Sequence, residues 1–450
     1  MLVRKEFTKM VSTAMAGIGL PAEAPVLFEL PNSVFMSDQS DLSTVNENID
    51  KVVFALTQWQ SKTTKTGIKF PDVNIKVTGK DYRQAEDNLN YLGMLNLWGD
   101  GLPIVPPTQE RVDWIMTGTE LAADYVIPGL GKIFPKGGIA AVRSLAIILA
   151  MAGGRPEYFP VLLAITEAMT SNSPETQNWD LSNMNSTTRS TFPAAIVNGT
   201  IGNQIRLSSG YGCLGPDPRH PANGSIGRAT HLVLAILGGA VAGIGTMSNF
   251  GGMRFTNIVC AEDELGIPEA WTTLGEDRGF KRGDNVVTVE PIGNWYCENL
   301  SATGGGDTPE GTLLGMVPWL TARGASDRQD PSRSNGFIMF PDTFANLLNN
   351  AGWTKPKVKQ FLYEQSLTTS GKNPLYAKGI CTTWNDPYAY NPEQICLVVA
   401  GGAQAQHTYI MNSISKASSK VTKAIKLPKN WDALLAQAEI DLGQNVGHTD

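Results

Sequence analysis

The sequence predicts an α/β fold in which mixed or parallel sheets are covered by helices, with more than one subdomain. Short apolar runs typical of buried strands alternate with longer segments of helical periodicity, and this alternation favours α/β over a helix bundle or a β-sandwich. The chain has 450 residues, of which 42% are apolar. A chain of this length can bury a large core and is expected to divide into subdomains.

Shifts in composition divide the chain into four regions. Residues 1–60 are predicted to be a small α/β piece, and residues 61–80 a polar linker. Residues 81–330 are expected to form the main α/β domain, with Cys213 in one of its loops. Residues 331–450 are expected to form a C-terminal α/β segment that packs on the main domain.

Helices are predicted where apolar residues recur at helical spacing. Thr108 is the expected N-cap of one helix, Pro156 takes the first helical position of another, and Asn223 or Ser225 caps SIGRATHLVLAILGG. The other predicted helices are FTKMVSTAMAGIG, NENIDKVVFALTQW, DYRQAEDNLNYLGMLNLW, QERVDWIMTGT, KGGIAAVRSLAIILAMAGG, RPEYFPVLLAITEAMTS and TKPKVKQFLYEQS.

Strands are predicted in APVLFELP, RFTNIVCAE, DNVVTVEPI and TFPAAIVNGTIG, the last of which ends in an Asn-Gly turn. The segment GFIMFPDTFANLLNNAGW is expected to run from strand to helix, with Asp342 near the helix cap. We expect ICLVVAGGAQAQHTYIMNSIS to form a strand, a glycine loop and then a helix.

Charge and cysteine content exclude several classes of protein. The net charge is −6 and no basic block occurs, so a nucleic-acid-binding surface is not expected. The five cysteines form no CxxC pair, which predicts reduced thiols in the cytoplasm. Residues 229–247 carry no charge, but glycines interrupt them, so we expect a buried core segment and no membrane contact.

Cys213 is the first candidate catalytic residue. It lies in SSGYGCLGP, just before a predicted helix start, and a helix N-terminus stabilises a thiolate. The glycines around Cys213 let the backbone approach a ligand. The alternative is a small apolar side chain packed in a glycine- and proline-rich turn.

Cys260, Glu262 and His407 are the other candidate catalytic residues. Cys260 and Glu262 follow one another at the end of a predicted strand, where α/β proteins place ligands, and a partly buried carboxylate can act as a general base. His407 follows the predicted turn of Gly401 and Gly402 and titrates in a useful range. The alternatives are a buried strand cysteine, a solvated acidic turn and a surface or capping histidine.

Substrate binding is assigned to residues in turns and at predicted helix starts. Asn223 and Arg228 are expected to bind an anion at the start of a helix. Asp100 and Arg155 have a structural alternative to substrate binding. An aspartate in a turn and a residue at a helix start often bond to neighbouring groups of the chain instead. The predicted substrate-binding residues are Asp100, Arg155, Asn198, Asn223, Arg228, Gly401 and Gly402. No spacing typical of a metal site occurs, so no metal ligand is assigned, and the sequence identifies no cofactor.

Several of these segments together resemble a known family. GDGLPIVPPT, SSGYGCLGP, NGSIGRATHLVLAILGGA and VVAGGAQAQH occur in this order, and with them the chain resembles the UGSC-type (seleno)proteins and their long cysteine-containing relatives. The likeness covers roughly residues 81–440, and the first 57 residues look like the end of a UGSC domain. That domain is similar to the selenoprotein subunit of glycine and proline reductases.

The resemblance implies a thiol-dependent function. The Sec/Cys-Gly-Ser-Cys motif of the family does not occur in this sequence, so a separate chain is expected to carry it unless it is not used. The leading hypothesis is an enzyme that acts on a small, anionic molecule by thiol-dependent redox or lyase chemistry. One alternative is a subunit of a homo- or hetero-oligomer that docks the motif-bearing chain. Another is a metal-dependent hydratase or hydrolase.

Overall fold

The computed structural model of the chain describes most of the predicted main domain and parts of the other regions. The described residues are 2–4, 7–17, 20, 27–30, 46–60, 74–129, 131–171, 181–185, 191–248, 251, 256–299, 308–321, 336–369, 389, 391–403, 407–413 and 420–444. Cys381 and most of the predicted linker lie outside these residues.

Nine of the described helices fall in predicted segments, whereas those over Leu181–Asn185, Ile201–Gln204, Leu274–Asp277, Pro309–Thr321 and Trp431–Leu442 were not predicted. Thr108 caps its helix through a bond from the backbone N–H of Arg111, and Pro156 opens a short 3-10 turn ahead of the next helix, as predicted. The described helices are α1 (Thr8–Gly17), α2 (Ile49–Thr57), α3 (Tyr82–Asn96), α4 (Gln109–Met116), α5 (Val142–Met151), α6 (Phe159–Met169), α7 (Leu181–Asn185), α8 (Ile201–Gln204), α9 (Pro221–Leu232), α10 (Leu274–Asp277), α11 (Pro309–Thr321), α12 (Asp342–Asn350), α13 (Lys355–Thr369) and α14 (Trp431–Leu442).

Seven of the described strands form one mixed sheet, flanked by helices, which confirms the predicted α/β class. The strands are β1 (Leu2–Arg4), β2 (Leu27–Leu30), β3 (Lys132–Ile133), β4 (Gly138–Ile139), β5 (Phe192–Asn198), β6 (Val259–Ala261), β7 (Val286–Asn299), β8 (Phe337–Phe340), β9 (Leu397–Val399), β10 (His407–Ser413) and β11 (Val421–Ala424). The large sheet has the order β6-β5-β7-β10-β8-β9, and β11 also pairs with β7.

The long strand β7 belongs to both halves of this sheet. Its residues 286–292 pair with β5, and residues 292–299 pair with β10. The two strands at the ends of this order, β6 and β9, meet each other. The backbone N–H of Asp263, just after β6, donates to the carbonyl of Val399 in β9 at 2.8 Å, which shows that the sheet folds back on itself. Strands of the predicted main domain and of the C-terminal segment therefore share one sheet.

Side-chain alternation along the strands separates an inner core from two outer cores. Ala194 and Ile196 of β5 face an inner cluster that also contains Cys213, Cys260 and residues of β8 and β9. Their neighbours in β5, Ala195 and Val197, face an outer core formed with α5, α6 and α9. A second outer core packs α11, α12 and α13 on the other half of the sheet.

Two predicted helix boundaries are wrong. Asn223 is not a cap, because α9 begins at Pro221, where proline is favoured as the first helical residue. His407 begins strand β10 and not a helix, because HTYIMNS alternates between two faces, with Ile410 in an outer core and Met411 in the inner one.

The uncharged segment 229–247 is mostly buried where it is helical. It contains the end of α9 and a π-helical turn over Val233–Leu237, and Leu232 and Val233 have no exposed surface. In the part of the chain that the structure describes, the helices are too short or too polar to cross a membrane.

Candidate functional site

The candidate site lies where strands β5, β6 and β9 end. Asn198 is the last residue of β5, Glu262 follows β6 directly, and Val399 is the last residue of β9. The backbone N–H of Glu262 donates to the carbonyl of Val197 at 2.9 Å, which fixes the β6 end beside β5. The folding of the sheet therefore brings three chain segments that are distant in sequence to one place.

Cys213 and Cys260 form a thiol pair at this end of the inner core. Both side chains pack in the inner core, and the Cys213 thiol acts on the pKa of Cys260, although one lies in a loop and the other in β6. Cys213 is 5% exposed and Cys260 is fully buried. The bond to Cys213, together with burial and the nearby charge of Glu262, raises the pKa of the Cys260 thiol well above its ordinary value. Cys260 is therefore a neutral thiol at pH 7.

The Cys213 loop is held in place by its backbone. Gly212 and Gly215 both adopt positive φ, 70° and 71°, and the N–H of Gly215 donates to the carbonyl of Gly212 at 2.7 Å. The carbonyl of Ser208 accepts from Ala261 N–H at 3.0 Å, and the carbonyl of Ser209 accepts from Gly401 N–H at 2.8 Å. These bonds attach the loop to the ends of both β6 and β9.

Glu262 is a buried carboxyl surrounded by donors. Its Oε2 accepts from Asn198 Nδ2 and from Leu274 N–H, both at 2.6 Å, and its Oε1 accepts from Val399 N–H at 3.3 Å. Burial raises the pKa of Glu262 above its ordinary value, against the opposing effects of the Lys355 charge and of these donors. Such a carboxyl takes up a proton more readily than an exposed glutamate and is a candidate proton carrier.

Asn198 orients two carboxylates at once. Its Nδ2 also donates to Glu264 Oε1 at 3.0 Å, and the same oxygen accepts from Gly199 N–H at 2.7 Å. Gly199 has a φ of 91°, in agreement with the predicted Asn-Gly turn. The Oδ1 of Asn198 is buried without a hydrogen-bond partner. Asn198 thus positions the acidic groups that follow β6.

The polar atoms of Asn223 are engaged by the backbone. Its Nδ2 donates to the carbonyls of Cys213 and Val259 at 2.7 and 2.9 Å, and its Oδ1 accepts from Ser208 N–H at 2.9 Å. These bonds tie α9 to the Cys213 loop and to β6. These contacts give Asn223 a structural role, and they do not support the prediction that it binds an anion.

Arg228 and Arg155 also have partners within the chain. Arg228 binds both carboxylate oxygens of Asp100, at 2.9 and 3.0 Å, so two predicted substrate-binding residues meet each other. Arg155 is paired with Glu157 at 2.5 Å and with Asp441 at 2.7 Å. These contacts hold the guanidinium groups of Arg228 and Arg155 against carboxylates of the chain, and they do not place either group beside the thiol pair.

Gly401, Gly402 and His407 lie at the β9 end and at the start of β10. The two glycines have φ values of 114° and 78°, and a Cβ on Gly402 would lie 2.9 Å from the ring of Tyr211. His407 shares a strand face with Tyr409 and Met411, which pack in the inner core that holds the thiols.

Lys355 and Tyr211 belong to this site but were not predicted from sequence. Lys355 is 2% exposed, donates to the carbonyl of Thr272 at 2.8 Å, and acts on Glu262 through its charge. Its segment, TKPKVK, resembles an ordinary solvated helix start, so no sequence signal indicated the burial. Tyr211 gave a weak signal, an aromatic residue among glycines next to Cys213.

The described residues contain no group of three or more His, Cys, Asp or Glu side chains that could hold a metal ion. No protein-family model, curated protein or solved structure matches the chain.

Proposed function

We propose that this chain is a thiol-dependent redox enzyme in which Cys213 and Cys260 form a dithiol–disulfide couple. The observation that supports it is that the two thiols, which come from separate elements of the fold, pack in one buried cluster, where Cys213 and the buried Glu262 both act on the pKa of Cys260. Two adjacent thiols favour redox chemistry over the lyase reaction that the sequence left open.

Cys213 is the attacking thiol in this proposal, because it is 5% exposed whereas Cys260 has no exposed surface. The co-substrate is a small disulfide. The Cys213 thiolate attacks one sulfur, the first thiol product leaves, and a mixed disulfide forms. Cys260 then attacks the Cys213 sulfur and releases the second product. The net change is that one disulfide and two cysteine thiols become two product thiols and one Cys213–Cys260 disulfide.

Glu262 serves as the proton carrier in the second step. Cys260 must lose its proton before it attacks, and its raised pKa makes that loss costly without a base. The carboxylate of Glu262 takes this proton and passes it to the departing thiolate. Asn198 and the backbone N–H of Leu274 hold the carboxylate in place, at 2.6 Å each.

The test is a titration of the fully reduced protein with oxidised glutathione, in which the remaining thiols are counted. We expect the wild type to lose two thiols per chain. Cys260→Ser should stop at a glutathione adduct on Cys213, and Cys213→Ser should keep its Cys260 thiol free. Cys297→Ser, which changes an exposed cysteine, is the matched control and should behave as the wild type. Loss of a single thiol in the wild type, or an unchanged result in Cys213→Ser, contradicts the proposal.

We also propose, as a second candidate, that the chain docks a separate protein that carries the Sec/Cys-Gly-Ser-Cys motif. The supporting observation is helix α2, in the region that resembles the end of a UGSC domain. Val53, Phe54 and Leu56 of α2 are 50%, 49% and 80% exposed, and clustered apolar side chains of this kind mark interaction surfaces.

Affinity capture with the tagged chain tests this docking. A protein with the motif should be captured and identified by its sequence, and Phe54→Glu should abolish the capture. Lys51→Glu, an exposed change on the same helix, is the control for charge. Capture that is unchanged in Phe54→Glu, or a capture without any protein bearing the motif, speaks against the docking role.

A further inference from the structure

A cavity lies near the C-terminal end of helix α9, away from the Cys213 loop, and has no part in the proposed redox function. It has a volume of about 330 Å³, within the range of small-molecule sites. The loop Gly99–Leu102, the end of α3 and the π-helical turn after α9 form its walls. From Asn223, which contacts the Cys213 loop, to His231 in this cavity, α9 advances about 12 Å at ~1.5 Å per residue.

The walls are predominantly apolar. The side chains that give this character are Met94, Leu97, Trp98, Ile104, Ala235 and Val241. Met94 and Leu97 remain 51% and 43% exposed, so apolar surface at the mouth of the cavity faces water. Covering that surface with an apolar ligand would be favourable, at roughly 25 cal/mol for each Å² removed from water.

At one end of the cavity, the negative charge of Asp100 is paired with the positive charge of Arg228. Burial opposes ionisation of Asp100, but the bonds from Arg228 and from Leu102 N–H outweigh it, and the pKa of Asp100 lies below its ordinary value. Asp100 also interacts electrostatically with His231, which lines the same cavity. A charged ligand would therefore meet a like charge near any opposite one, whereas an uncharged polar group can hydrogen-bond there.

Two backbone features mark the cavity as a specialised part of the fold. Val233–Leu237 form a π-helical turn, a conformation that is uncommon and is frequent at functional sites. Leu97 has a φ of 58°, a left-handed conformation that is unfavourable for a residue with a side chain. Both Ala235 of the first feature and Leu97 of the second contribute to the walls.

We propose that this cavity binds an uncharged, mostly apolar small molecule with one hydrogen-bonding group, of the size of a phenol or an indole. The apolar body lies between Trp98, Met94 and Ala235, and the polar group faces Asp100 and His231. The proposal is independent of the thiol pair, and each can fail without the other.

The experiment compares phenol, benzoate and benzylamine by isothermal titration calorimetry at pH 7, because they share a ring and differ in charge. We expect phenol to bind at least tenfold more tightly than either charged compound. Ala235→Phe and Ala240→Trp, which fill the cavity, should each weaken phenol binding at least tenfold. Leu265→Trp, at a position 84% exposed and outside the cavity, should leave it unchanged.

Hydrogen exchange of the wild type provides a second readout that does not depend on the folding of a variant. Phenol should slow amide exchange in peptides that cover residues 90–104 and 231–241, and not in a peptide that covers 256–264. The proposal is overturned if none of the three compounds binds, if a charged compound binds best, or if the protected amides lie elsewhere.

Discussion

Cys260 and Glu262 share an environment that disfavours charge. Cys260 has no exposed surface and Glu262 is 4% exposed. The pKa of Cys260 is raised first by its bond to Cys213 and then by burial, and the pKa of Glu262 is raised by burial. The site therefore holds a neutral thiol next to a carboxyl that takes up a proton more readily than an exposed glutamate does.

Glu262→Gln should flatten the dependence of stability on pH. Because the folded-state pKa of Glu262 is raised, its contribution to stability is fully present below the unfolded-state pKa and is lost as the pH rises through the folded-state pKa. Each pKa unit between the two states corresponds to about 1.4 kcal/mol. Urea unfolding of both proteins from pH 4 to pH 9 measures this, and parallel curves would contradict the assignment.

Individual residues differ in how far the sequence could predict them. Cys260 lies in a short strand and Glu262 follows that strand directly, so their place at a strand end could be inferred from local pattern alone. The partner of Arg228 could not, because Asp100 precedes it by 128 residues and a turn aspartate gives no sign of a distant ion pair. The same holds for Asn223, whose side-chain amide bonds to two backbone groups of the Cys213 loop and to one of β6.

At the scale of elements, the loop that carries Cys213 depends on its contact with the β9 end. Gly402 lies under the ring of Tyr211, and Gly401 N–H bonds to Ser209 at the start of the loop. We expect loosening of this contact to expose Cys213, which is 5% exposed in the folded structure.

Gly402→Ala should loosen the loop and make Cys213 more reactive. The added Cβ meets the Tyr211 ring at 2.9 Å, in a backbone conformation with φ of 78° that disfavours alanine by roughly 1–2 kcal/mol. Gly352→Ala is the matched control, because Gly352 has the same φ and no neighbour within 4 Å of the added carbon. Alkylation of Cys213 by iodoacetamide should be several-fold faster in Gly402→Ala than in Gly352→Ala, and equal rates would contradict this role of the contact.

Most elements could be predicted from periodicity, and the error at β10 has a physical cause. The glycines before His407 resemble a turn that leads into a helix, whereas HTYIMNS alternates between two buried faces. Alternation of this kind is clear only once the pairing of β10 with β7 and β8 is known. The folding of the sheet onto itself was not predictable, because it depends on which halves of β7 pair with which strands.

At the scale of the molecule, an ion pair lies inside the protein beside β7. Lys420, just before β11, is 3.1 Å from Glu290 of β7, and their side chains are 4% and 0% exposed. The N–H of Gly336, just before β8, donates to the same carboxylate at 2.9 Å. Glu290 thus links segments that lead into strands of both halves of the sheet.

Lys420→Ala should destabilise the whole protein by about 3–5 kcal/mol, because it leaves the Glu290 charge buried without its partner. Lys429→Ala is the matched control, since it removes an ion pair with Glu120 in which the side chains are 89% and 50% exposed. That change should cost much less, because ion pairs exposed to solvent contribute little to stability. Urea denaturation measures both, and similar losses in the two variants would contradict the importance of the buried pair.

The proposed redox function depends on a bond that can form between two particular sulfurs. The most direct measurement is peptide mapping by mass spectrometry of the native protein after equilibration in oxidising glutathione buffer and alkylation of the free thiols. We predict one main linkage, between the peptides that contain Cys213 and Cys260, which disappears in reducing buffer. Alkylated Cys213 and Cys260 in the oxidised sample, or a linkage of either one to a different cysteine, would contradict the account.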